Sequence, residues 1–130
     1  MELTNVNSLP FIYQVQATAA ANGSAQATLI FQADSRFELV GIFGTTDLAS
    51  EATEVAPNNF SLSIRAQTTG RDLMSTRIPQ RILCGNAYNG FLQRRGVIFE
   101  PQSNLLLDFL NLTGAQRTIT IALHGYKLIL

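Results

Sequence analysis

GVIFEPQSNLLLDFLNLTGAQRTITIALHGYKLIL, Gly96 to Leu130, decides the fold. In its second half Ile119, Ile121 and Leu123 alternate with Thr118, Thr120 and Ala122. This period of two marks a strand with one buried face. Upstream, Leu105, Leu107 and Phe109 share one face of a strand, and Leu106, Asp108 and Leu110 share the other. Both faces are largely apolar, so this strand is expected to be central and covered on both sides. The link Asn111 to Gln116 carries Asn, Thr and Gly, which suit a short reversal. The two strands are therefore expected to pair antiparallel and close a β-sandwich.

The same reading extends upstream. Residues 1–10 are expected to form an N-terminal arm, because Asn5, Asn7, Ser8 and Pro10 are poor strand residues and termini order on a partner. Residues 11–130 then form a single sandwich domain. Phe11–Gln16 and Ala25–Gln32 read as strands. Alanines 19–21 favour a helical turn, but Asn22-Gly23 favours a reversal, and together the two strands predict a hairpin. After Asp34-Ser35, Phe37, Leu39 and Phe43 are expected on one face, with Glu38, Val40 and Ile42 on the other; Gly41 and Gly44 hint at a bulge. A polar loop follows from Thr45 to Asn59, then Phe60, Leu62 and Ile64 point inward, and Thr68–Arg71 turn. Residues 72–96 are broken by Pro79, Gly85, Asn86, Asn89 and Gly90; Arg81–Cys84 reads as one short strand, and Val97–Glu100 as another, ended by Pro101. About eight short strands without a helix make the class all-β, an antiparallel sandwich of jelly-roll type.

The chain has 130 residues, enough for one domain with a core. Only 14% of it is charged, against about 25% in average soluble domains. Such a surface suits a protein partly covered by copies of itself or by a larger assembly. Net charge is zero, so no global field draws it to nucleic acid or a membrane. No apolar run approaches the roughly 20 residues that span a bilayer. The single cysteine, Cys84, excludes an internal disulfide, and the first residues lack the pattern of a secretory signal, which agrees with assembly in a reducing cytoplasm.

Charge is distributed unevenly. Residues 34–54 hold five acids and one arginine, and residues 65–95 hold six arginines and one acid. Arg71, Arg77, Arg81, Arg94 and Arg95, with Tyr88 and Phe91, are candidate interface residues, as are Asp47, Glu51 and Glu54 opposite them in sign. Catalytic constellations do not assemble from this sequence. His124 is the only histidine and continues the Thr118–Thr120–Ala122 face. Cys84 reads as a buried apolar residue, Glu100 and Asp108 match a glycosidase pair by type alone, and no Gly-x-Ser-x-Gly or phosphate loop is present. The expectation is a protein that is not an enzyme and holds no cofactor or metal.

Five stretches resemble a known family. Val97-Ile-Phe-Glu-Pro through Asn111, then Thr113-Gly114, then Thr118 to Gly125-Tyr-Lys127, look like small jelly-roll proteins of tailed bacteriophages, the capsid cement or decoration proteins. Asp34-Ser-Arg-Phe-Glu-Leu39 resembles their strand entry, and Thr69-Gly-Arg-Asp-Leu73 resembles a central turn. The resemblance covers roughly residues 30–75 and 96–130. It implies a homo-oligomer, dimer or trimer, that binds the major capsid protein on the outer surface of the shell, assembles in the host cytoplasm and stabilises the virion. A tail, fibre or baseplate component with a host-binding role is the alternative.

Overall fold

A computed structural model describes residues 8–48, 57–84 and 91–129 of the chain; for residues 91–96 only the backbone is described. The described residues form β1 (Ser8–Ala19), β2 (Ser24–Ile30), β3 (Ser35–Thr46), β4 (Phe60–Ala66), β5 (Arg71–Asp72), β6 (Ile78–Pro79), a helical turn α1 (Gln80–Leu83), β7 (Phe91–Phe99), β8 (Asn104–Asn111) and β9 (Arg117–Ile129). One antiparallel sheet has the order β1-β9-β3-β7; the other has β2-β8-β4-β5, with β6 also on β4. The major strands alternate between the two sheets along the chain. The protein is an all-β sandwich with jelly-roll connectivity.

Burial follows the period of two. Leu105, Leu107, Phe109, Ile119, Ile121 and Leu123 have no exposed surface, and Phe60, Leu62 and Ile64 of β4, beside β8 in the same sheet, are buried in the same core. Between the sheets Tyr13, Phe31, Phe37 and Phe99 pack ring against ring, with centroids 4.9–5.6 Å apart. The Tyr13 hydroxyl accepts a 3.0 Å bond from the Gln32 amide, so the phenol is satisfied where it is buried.

Several expectations are corrected. The two expected pairs are not pairs: β1 bonds to β9, and β2 bonds to β8, so β1 and β2, like β8 and β9, lie in different sheets. The links of four or five residues cross from sheet to sheet. Four residues reach about 14 Å when extended, enough for the roughly 10 Å between packed sheets. Turn-forming residues specify a reversal, and a reversal serves either purpose. On β3 the register shifts between Leu39 and Gly41, so Ile42 enters the core and Phe43 turns outward beside His124, with ring centroids 4.4 Å apart. The expected bulge is there, and one extra residue exchanges the two faces. Arg81–Cys84 is not a strand: residues 80–83 make one helical turn, and Cys84 is buried at its end. Strand β8 is central, but its outer face is half-exposed rather than covered. Strand β1 starts at Ser8, so Ser8–Pro10 of the expected arm pair with Tyr126–Leu128; residues 1–7 lie outside the described residues.

One end of the sandwich is held by Asn111, which is 1% exposed. Its Nδ2 group donates to the carbonyls of Ala19, Ala20 and Ala115 at 3.2, 3.0 and 2.8 Å. Its Oδ1 accepts from the backbone amide and the hydroxyl of Thr113 at 2.9 and 2.8 Å. Backbone bonds from Asn111 to Gly23 and from Asn22 to Thr113 run alongside. Both crossing links are thus tied to one side chain.

At the far end of β9, Gly125 lies opposite Leu39, next to the bulge. A Cβ there would stand 1.9 Å from the carbonyl oxygen of Glu38 and 2.8 Å from the Phe37 ring. Gly125→Ala is therefore expected to lower stability by about 1–3 kcal/mol or more, as overpacking against backbone does. Urea unfolding of the variant checks this; an unchanged midpoint would mean that β3 and β9 are not packed this closely.

Candidate functional site

The strand entry at Asp34-Ser35 and the last strand's Gly125-Tyr-Lys127 fold onto each other. Lys127 is an inward position of β9 and is 7% exposed. Its ammonium donates to the Gln32 side chain and to both carboxylate oxygens of Asp34 at 3.3 Å, and it sits 4.2 Å from the centre of the Phe11 ring. Asp34 also accepts a 3.0 Å bond from the hydroxyl of Ser35, itself buried. The Ser35 bond, and then Lys127, hold the Asp34 carboxyl below the ordinary carboxylate range, while partial desolvation opposes them. The Asp34-Ser35 entry and the Gly-Tyr-Lys close are in this way two halves of one latch.

Beyond the latch, on the β7 side, the sandwich opens into a cleft of about 470 Å³. Leu39, Ile42, Val97 and Phe99 line it from one sheet, and Ile64 and Ala66 from the other. Leu73, Met74, Ile78 and Leu83 form its outer wall, and Ile82 stands at the wall 63% exposed. The cleft exists because β5, β6 and α1 are too short to cover the β4 edge as a full strand would. Its size and apolar lining suit a bound group, and its rim carries Arg71, Asp72 and Glu100. Asp72 is paired with Arg65 at 3.0 Å and Glu100 with Arg36 at 3.1 Å. Among the described residues Arg71 makes no ion pair, so within that set it is the rim's one uncompensated charge.

The other candidate interface residues do not converge on the cleft. Arg77 crosses the outer face of β8 to Asp108 at 3.0 Å. Arg81 is exposed on α1, its amide bonded to the Asn58 side chain at 3.5 Å. Asp47 lies at the opposite end of the sandwich, 3.9 Å from Arg117. Glu51, Glu54 and Tyr88 lie outside the described residues, and Phe91, Arg94 and Arg95 are placed on β7 by their backbone alone. Among the described residues, no ion pair joins the acidic segment 34–54 to the basic segment 65–95.

Two residues escaped the sequence reading. Gln80, 1% exposed, accepts from the Asn59 amide at 2.8 Å and donates to the Gly44 carbonyl at 3.2 Å, which fixes α1 against both sheets. Nothing in its surroundings marked it. Lys127 did carry a signal: it continues the inward series Ile119, Ile121, Leu123, Gly125. Of the residues weighed for chemistry, Cys84 lies in the core and His124 on the outer face of β9, while Glu100 lies in the link after β7 and Asp108 on β8. No group of three or more His, Cys, Asp or Glu that could hold a metal occurs among the described residues.

No family model matches the chain, and no curated protein matches it. Solved structures with a similar fold include the Yersinia pseudotuberculosis-derived mitogen, at 8% identity and a TM-score of 0.45, covering 92% of this chain and 87% of that one. They also include the Aeromonas hydrophila periplasmic inhibitor of g-type lysozyme, at 12% identity and a TM-score of 0.42, covering 88% and 85%. A chain of the cyanophage Pam1 capsid asymmetric unit aligns at 14% identity and a TM-score of 0.42, covering 94% and 85%. At these scores none carries a functional assignment.

The latch predicts a pH response. A carboxyl whose folded pKa is depressed adds stability that is complete above its unfolded value, about 3.9, and is lost as pH falls through the folded value. Asp34→Asn is expected to melt below the parent at neutral pH, with the gap closing as pH drops below the carboxylate range. A gap independent of pH would contradict the pairing with Lys127.

Proposed function

We propose that this chain is a structural protein of a tailed-phage virion that binds the outer capsid surface and stabilises the shell as cement. The phage setting comes from the resemblance of residues 30–75 and 96–130 to that family. The observation that carries the binding role is the apolar cleft on the β7 side, rimmed by Arg71, which makes no ion pair among the described residues. An apolar side chain of a capsid subunit fits the cleft, and a neighbouring acid fits Arg71; such an anchor in a desolvated pocket dominates binding energy. The sandwich supplies rigidity, so load on one contact passes to the others, and several modest contacts act together. On this reading the protein works as a homo-oligomer without cofactor or catalysis.

The test is addition of the purified protein to capsids that lack it, followed by co-sedimentation and heating. Saturable binding and a higher disruption temperature are expected. Ile82→Glu with Arg71→Glu changes exposed positions only and is expected to weaken binding at least tenfold with the circular dichroism spectrum unchanged. Capsids that gain no heat resistance would defeat the cement role.

A further inference from the structure

The two edges of the β1-β9-β3-β7 sheet are built differently. At the β7 edge the ladder is broken: Leu39 pairs with Val97 and Gly41 with Leu92, so one residue of β3 stands against four of β7. Those four positions include Arg94 and Arg95. An irregular strand and charge on an edge both obstruct pairing with another sheet. The β1 edge has neither device. Its register with β9 runs unbroken over twelve pairs, from Ser8↔Leu128 to Ala19↔Arg117. β1 contains no charged residue, and the sequence holds none from Leu3 to Ala33. Its alternate backbone groups point away from β9, and among the described residues no backbone bond outside the ladder engages them. On the outward face of its first half, Pro10 and Ile12 follow Ser8, beside Tyr126, His124 and Leu128 of β9, with Ile12 55% and Tyr126 41% exposed. The adjacent edge of the other sheet, β2, is also uncharged and leaves Ile30 63% exposed.

We infer that β1 pairs antiparallel with β1 of a second copy of this chain, continuing the sheet across a two-fold axis. The occupant is a second copy because the edge is neutral and regular: self-pairing there sets no like charges opposite one another, whereas self-pairing along β7 would bring Arg94 and Arg95 of both copies together. A two-fold contact is also self-complementary by symmetry. The inference rests on the proposed oligomeric state and names its interface, on the side of the sandwich away from the cleft. Each dimer would then present two clefts facing outward.

The test uses the full chain, 14.2 kDa, by light scattering over a dilution series. A mass twice that of the chain is expected. Ile12→Lys with Gln14→Lys alters exposed, outward positions and is expected to weaken dimerisation at least tenfold without changing the circular dichroism spectrum. Arg94→Gln with Arg95→Gln is expected to leave the mass unchanged. Amide exchange of the unsubstituted protein gives a second reading: β1 amides are expected to lose protection on dilution, and β7 amides are not. A dimer or trimer insensitive to the lysine pair would overturn the edge assignment and leave the oligomer reading standing. A monomer throughout would overturn both.

Discussion

The bonds of Asn111 are the constraint on which the rest of the sandwich depends. A strand that ends beside its successor is free to pair with it. Here the chain leaves β8 and β1 at the same end, and the one amide group holds both departures. Its two N–H bonds are shared among three carbonyls of the links, and its oxygen caps Thr113. With those carbonyls satisfied inside the fold, the links cross to the other sheet without leaving buried backbone groups unpaired, which would cost about 1–3 kcal/mol each. The alternation of strands between the sheets, and with it the order of both sheets, follows from those crossings.

That order decides which surfaces are left for partners. It sets β7 and the short β5 and β6 on one side of the sandwich, where the described residues line the apolar cleft. It sets β1 and β2 on the other side, where the edges are regular and neutral. The latch of Asp34 and Lys127 closes the end farthest from Asn111, and it uses the chain's only lysine. The Arg36–Glu100 and Arg65–Asp72 pairs are between exposed groups and contribute about 0–1 kcal/mol each. They matter for the surface by neutralising Asp72 and Glu100, while Arg71 has no ion-pair partner among the described residues.

The core was legible because period two is written into the side chains: Phe60 to Ile64, Leu105 to Phe109 and Ile119 to Leu123 all point where alternation puts them. Strand partners were not legible. Asn22-Gly23 and Thr113-Gly114 specify reversals, and nothing local says whether a reversal stays in its sheet or leaves it. The face exchange at Ile42 and Phe43 needed the position of the bulge, which two glycines suggest without fixing. Residues 80–83 are too few for a helical period to register, so Ile82 and Leu83 read as strand residues. For the same reason the cleft was only half visible. Arg71 stood out by charge, whereas Met74, Ile78 and Ile82 owe their place to a long-range fit of α1 that depends on Gln80.

The most direct measurement is the unfolding free energy of Asn111→Ala against the parent, followed in urea by near-ultraviolet and far-ultraviolet circular dichroism. Removing the amide strands carbonyls of both links, so the account predicts a loss of at least about 2 kcal/mol, with both signals melting together. A loss below about 0.5 kcal/mol, the usual effect of a surface change, would contradict it, because the crossings would then be held by something other than this side chain.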